Sequence, residues 1–215
     1  MNIVKKLIIR GVLASSLAIA AVTPAVADIY TDLKDSTSKL IAKDKGEVKN
    51  IMAAAERGDI QSQILVGVMN QAGIGVQKDE SNALLWYMKA ALKKDPKAQY
   101  LIGFMYDQGF GVKQDHTLGS QWFMRSAMQD EPWAQVAVSR AYYKGLGVKQ
   151  DYPTAIEWAY RGASQDHAVS QLLLGLYYSD PLTGMKDDKK SKEWVEMSCK
   201  NGNKNACEYI SKLKK

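Results

Sequence analysis

The sequence predicts an all-α protein built as an array of helix–loop–helix repeats with a period of 36 residues. Three observations carry that prediction. Trp86, Trp122, Trp158 and Trp194 are each 36 residues apart. Asp79, Asp115, Asp151 and Asp187 keep the same period. A G-x-G-V loop recurs in register as Gly73-Ile74-Gly75-Val76, Gly109-Phe110-Gly111-Val112 and Gly145-Leu146-Gly147-Val148. Gln63, Gln99, Gln135 and Gln171 add another column, and Tyr106, Tyr142 and Tyr178 a further one. Periodicity of this length marks stacked supersecondary units, none of which can bury its apolar face alone. The 215 residues are 46% hydrophobic and 24% charged, which excludes a disordered or collagen-like chain.

In chain order, the first segment reads as an address. Lys5, Lys6 and Arg10 form a positive start, Val12 to Val22 is nearly all apolar or small, and Ala25-Val26-Ala27 supplies a small-x-small site. This predicts a secretory signal peptide over residues 1–27, cleaved before Asp28, and a mature protein in the periplasm or outside the cell. The apolar run is short for a membrane span, and no Cys follows it to carry a lipid. The formal charge of the whole chain is +6, of which the leader supplies half. The +3 left is too small to argue for nucleic acid, which needs a clustered basic face.

Residues 28–49 are expected to cap the first unit or to act as a tether; apolar residues between Tyr30 and Ala42 show some 3–4 spacing. The repeats occupy residues 50–215 as four full units flanked by two half-units. Helix A of the first unit is expected near Ile60–Gln71, and its equivalents begin near Pro96, Pro132 and Ala168. Asp95-Pro96 and Glu131-Pro132 place an acid before a first-turn proline, a favourable helix start. The loop glycines permit the positive φ that ends one helix and turns the chain. The periodic Asp then caps helix B by accepting from its first N–H groups. Ala91, Ala127 and Ala163 follow the Trp column where helices must approach closely. Ile51–Arg57 reads as a helix B without its partner, and Lys204–Ile210 as a helix A without its partner.

These columns carry a resemblance. Ala98-Gln99, Ile102-Gly103, Tyr106, Gly109-Phe110-Gly111-Val112, Asp115, Trp122 and Ala127 together resemble the Sel1-like repeat (SLR), a relative of the tetratricopeptide repeat. The likeness runs from about Asn50 to Leu213. The fourth unit departs from it, with Pro181 and Thr183 in place of the two loop glycines, while Asp187 and Trp194 stay in register. The resemblance implies a right-handed α/α solenoid, a protein-binding role, and Trp and Tyr columns that belong to the core. Cys199 ends the last helix B and Cys207 lies in the terminal helix A, so the register sets them across a short turn. Their spacing resembles the disulfide that bridges adjacent helices in secreted cysteine-rich SLR proteins; two free buried thiols are the alternative. The Gln column is expected to form hydrogen bonds between helices, since a buried amide needs partners.

The partner-binding face is expected on helix A, which lines the concave groove in tetratricopeptide-like solenoids. Columns 61, 64, 68 and 71 lie together on one side and change from unit to unit. In the second and third units they supply Lys97, Tyr100, Phe104, Asp107, Trp133, Arg140 and Tyr143. Aromatics and Arg are the types enriched in binding hot spots. Packing against the next unit is the competing assignment for Phe104, Leu172 and Leu176, whereas Trp133 is expected to be exposed.

Motifs for chemistry are missing. His116 and His167 lack zinc spacing and are expected to be solvated, and no metal or cofactor is implied. There is no G-x-S-x-G, and the G-x-G-V loops lack G-K-[ST]. S-x-x-K occurs at Ser36–Lys39 and Ser211–Lys214, as often as chance allows, without S-D-N or K-T-G. The sequence therefore predicts a non-enzymatic, monomeric binding module for a protein or peptide. Small exported SLR proteins offer two more specific roles, as immunity proteins against lipase effectors of type VI secretion or as factors that engage host proteins. Penicillin binding with weak β-lactamase activity, linked with cysteine-rich relatives, is the enzymatic rival.

Overall fold

The computed structural model describes residues 28–44 and 46–213, so the expected signal peptide at 1–27 lies outside the described residues. Eleven α-helices and no strand occur among the described residues. They are α1 (Asp28–Lys43), α2 (Glu47–Glu56), α3 (Ile60–Ala72), α4 (Glu80–Leu92), α5 (Pro96–Gln108), α6 (His116–Ala127), α7 (Pro132–Lys144), α8 (Tyr152–Ala163), α9 (Ala168–Ser179), α10 (Asp188–Lys200) and α11 (Lys204–Leu213). The helices A are α3, α5, α7, α9 and α11; the helices B are α2, α4, α6, α8 and α10. Each helix packs on the next in sequence, which is the arrangement of an α/α solenoid.

The caps follow the sequence reading with one exception. Asp79, Asp115 and Asp187 accept from N–H groups of the first turn of their helices B, at 2.9–3.1 Å. Asp59 and Asp95 do the same for helices A at 2.7 and 2.9 Å. Asp151 instead accepts from the Thr154 hydroxyl and makes no bond to a backbone N–H of its helix. Gly73, Gly109 and Gly145 end their helices with φ of 71°, 75° and 70°. The second glycine of the loop is needed for a different reason. A Cβ on Gly147 would stand 2.1 Å from the His116 carbonyl oxygen, and one on Gly111 would stand 2.5 Å from the Glu80 carbonyl carbon. Each loop is thus pressed onto the start of the preceding helix B, and Ser81 and Ser120 tie it there by donating to Gly111 and Leu146 carbonyls at 3.0 and 2.8 Å. In the fourth unit Pro181–Thr183 form a 3-10 turn, and Gly184, at φ 67°, supplies the left-handed residue.

The core corrects the sequence reading at the Trp column. Only Trp158 is buried, at 8% exposure; Trp86, Trp122 and Trp194 are half-buried at the core's edge. The fully enclosed positions are the next residues, Tyr87, Phe123, Ala159 and Val195. Tyr87, Phe123 and Val195 pack beneath Gly67, Gly103 and Gly175, and a Cβ on Gly67 would stand 2.3 Å from the Tyr87 ring. The tryptophans lie along the helix B surface under cations, with Lys89, Arg125 and Arg161 over Trp86, Trp122 and Trp158 at 3.6–4.4 Å. The Tyr column is likewise half-buried against the core.

The Gln column forms an inter-unit ladder. Gln63 and Gln171 donate to the Ala55 and Ala163 carbonyls at the ends of the preceding helices B, both at 3.2 Å. Gln99, Gln135 and Gln171 accept in turn from Gln129, Gln165 and Asn201 at 2.8–3.0 Å. At the first step the donor position holds Lys93, which reaches the Gly58 carbonyl, and Gln63 Oε1 is left buried without a partner among the described residues.

Both ends are closed. Helix α1 packs mainly on α3, with Ile29, Thr37 and Ile41 buried, and its Tyr30 ring stacks on Phe104 of α5 at 6.3 Å. At the other end, Cys199 and Cys207 form a disulfide joining α10 to α11. The loop it closes is short, so the chain-entropy model assigns it about 2–3 kcal/mol.

Candidate protein-binding face

Helix A is not the half-exposed helix that the groove assignment requires. In α5 every residue from Ala98 to Met105 is buried, and in α9 every residue from Ser170 to Tyr177. Each of these helices lies between its own helix B and the preceding one. Tyr100 is 0% exposed, with its ring 5.5 Å from that of Phe123. Phe104 is 8% exposed, between Tyr30 and Phe110. Both are core residues, which corrects two of the expected contact residues. A helix enclosed by two helices B and crossed by α1 keeps no stripe open in its middle.

What remains accessible sits at the ends of the helices A. Lys97 is exposed at the start of α5. Trp133, one unit on, is half-buried rather than free, because its ring meets that of His167 edge-on at 4.5 Å. His167 is correspondingly not the solvated residue expected. Its Nδ1 lies 2.8 Å from Ser170 Oγ, and its Nε2 is buried without a partner among the described residues. Burial holds its pKa down to about 4.

Toward the C-terminal ends, Asp107 of α5 acts on Arg140 and Lys144 of α7, and Tyr143 lies one turn from Arg140. Asp107 is 21% exposed and faces His116 Nδ1 at 2.8 Å, so His116 too has a fixed partner. Arg140 and Lys144 are one helical turn apart on α7 and share a face. Desolvation lowers the pKa of Arg140, with Tyr177, Asp107 and Tyr100 opposing that shift. Desolvation and the neighbouring Arg140 charge lower that of Lys144. Tyr143 stacks on Tyr177 at 4.6 Å and donates its hydroxyl to the buried Asp180, so it ties α7 to α9. Its pKa is pushed well up, first by burial and then by that carboxylate. Sequence reasoning missed Lys144 and read His116 and His167 as solvated. Only Lys144 carried a signal, its spacing of four from Arg140.

A stack of helix pairs with a period of 36 residues and a ladder of inter-unit amides defines an α-solenoid repeat protein. The Sel1 repeat model matches residues 60–95, 96–131, 134–167 and 168–203, and the chain belongs to the Sel1 repeat family. Proteins of this family are generally protein-interaction modules. The structure is similar to that of a Sel1 repeat protein from Oxalobacter formigenes, with a TM-score of 0.71, 30% identity and 77% of this chain covered. It is also similar to c5321, a protective antigen present in uropathogenic Escherichia coli strains and displaying an SLR fold, with a TM-score of 0.68, 32% identity and 77% coverage. The chain spans 66% of the first of these proteins and 36% of the second. No curated protein matches it.

Proposed function

We propose that the chain is a non-enzymatic binding module that acts in the periplasm or outside the cell after removal of residues 1–27. It holds a protein or peptide partner on the surface formed by the ends of α5 and α7. One observation carries this reading. The four units share a frame of caps, loop glycines and Gln positions, yet differ where helix A reaches solvent. At column 61, where helix A starts and is accessible, the units carry Gln61, Lys97, Trp133 and Val169; at column 68 three units carry a buried apolar residue and only the third departs, with the half-buried Arg140. A residue that repeats serves the stack; one that changes at the accessible end of a helix serves something specific to its unit. The leader sequence and the disulfide support an oxidising compartment.

The test is capture from cell-envelope extract by the tagged chain, produced with its own leader, beside a Trp133→Ala/Arg140→Ala variant. The expected result is a protein retained by the wild type and lost by the variant. Equal retention by both places the binding face elsewhere.

A further inference from the structure

Arg140 occupies a register position that is apolar and buried in every other unit, where Val68, Phe104 and Leu176 stand. Its Nε is buried and has no hydrogen-bond partner among the described residues. No ion pair within 4.0 Å forms on its guanidinium among them either. Asp107, the acid that acts on it, is already engaged, with His116 Nδ1 at 2.8 Å from its Oδ1 and the Gln108 amide donating to its Oδ2 at 2.7 Å. A half-buried, unpaired guanidinium is costly to keep, because burial removes water from a charge without giving it a counter-ion. Groups left unsatisfied in this way are where a structure departs from its own frame for function.

We propose that Arg140 is the receptor for an acidic side chain of a protein partner, with Lys144 as a second cation at its rim. The proposal rests on the binding reading above and names the chemistry of that partner. Arg140 and Lys144 bring two positive charges against the one negative charge of Asp107, so the site attracts an anion. The planar guanidinium also matches a carboxylate in two parallel hydrogen bonds. Tyr143 and Trp133 lie on α7 on either side of Arg140, and Trp133 meets His167 at the start of α9, so the segment that carries the acid has an aromatic surface to lie on.

The probe is a phage-displayed library of random dodecapeptides selected on the full chain. Enriched peptides are expected to carry an Asp or Glu whose change to Asn or Gln weakens binding at least tenfold. In Arg140→Leu that same change should have no effect, and Arg140→Lys should recover part of the wild-type affinity. Arg140→Leu puts back the residue type of the other units, and unchanged ellipticity with an equal or higher Tm verifies its fold. Acid dependence that persists in Arg140→Leu overturns the proposal. So do peptides that are indifferent to their acids but lost in Trp133→Ala, and in that case the binding face itself stands. Failure to enrich any peptide overturns the proposal and the binding reading together.

Discussion

Phe104 and Arg140 hold the same place in consecutive units, and their surroundings differ in kind. Phe104 is closed between Phe110 and Tyr30, so α1 and the second unit form one continuous core. Arg140 stands at the matching point of the third unit with its Nε buried and unpaired. One slot is therefore used for packing and the other for a charge. The solenoid repeats a backbone, not a surface, and a single substitution in register is enough to turn a core position into a candidate binding position.

Opposite responses at the two slots would sharpen this contrast most. Phe104→Ala is expected to lose about 3–5 kcal/mol and to speed amide exchange in α1, which loses its ring contact. Arg140→Leu is expected to gain about 1 kcal/mol or more, because an apolar side chain replaces a desolvated, unpaired charge. Chemical denaturation measures both; a loss in Arg140→Leu would break the comparison.

A smaller effect is expected where the loops differ. Gly147→Ala should cost about 3 kcal/mol or more, since its Cβ meets the His116 carbonyl oxygen at 2.1 Å in addition to the φ of 70°. Gly184→Ala has nothing within 4 Å and only its φ of 67° to strain it, so about 1 kcal/mol is expected. Equal losses would mean that the loops are not pressed onto the preceding helices.

His167 makes the junction of the third and fourth units sensitive to pH. Its pKa falls from an ordinary 6.5 to about 4 on folding, so the unfolded chain binds the proton more tightly. The contribution is present in full above pH 6.5 and is lost as pH falls toward 4, amounting to up to about 3 kcal/mol. His167→Gln is expected to flatten the profile of stability against pH across that window, and an unchanged profile would remove His167 as its cause.

The smallest effect is expected at the turns from B to A. Position 58 and its equivalents adopt positive φ, with Gly58 and Gly202 at the ends and Lys94, Asp130 and Asp166 between them at 59–63°. Lys94→Gly should gain up to about 1 kcal/mol in Tm-based stability. No gain would mean that the lysine side chain holds the turn in a way the glycine cannot.

These sites differ in how legible they were. Loop glycines, Asp caps and Gln positions were read directly, because each recurs at a fixed interval and acts through the backbone close by. The cysteines were placed by register alone. The positions at 94, 130 and 166 were missed although Asp tolerates the left-handed region and Gly58 and Gly202 share their register; Lys94 alone carries no such signal. Tyr100 and Phe104 were misassigned because a helical-wheel argument supplies angles but not neighbours.

Periodicity by itself determined the helix pairs, the number of units and the turns between them. Those features depend on hydrogen bonds and steric limits spanning a few residues, and a pattern repeated four times reports them redundantly. Only the tertiary structure decided which parts of helix A are accessible. That depends on a helix B from the preceding unit and on α1 crossing to Phe104, contacts whose partners lie far apart in the chain. The same long-range packing desolvates Arg140 and leaves it unpaired, and that condition is visible only once the neighbouring helices are in place.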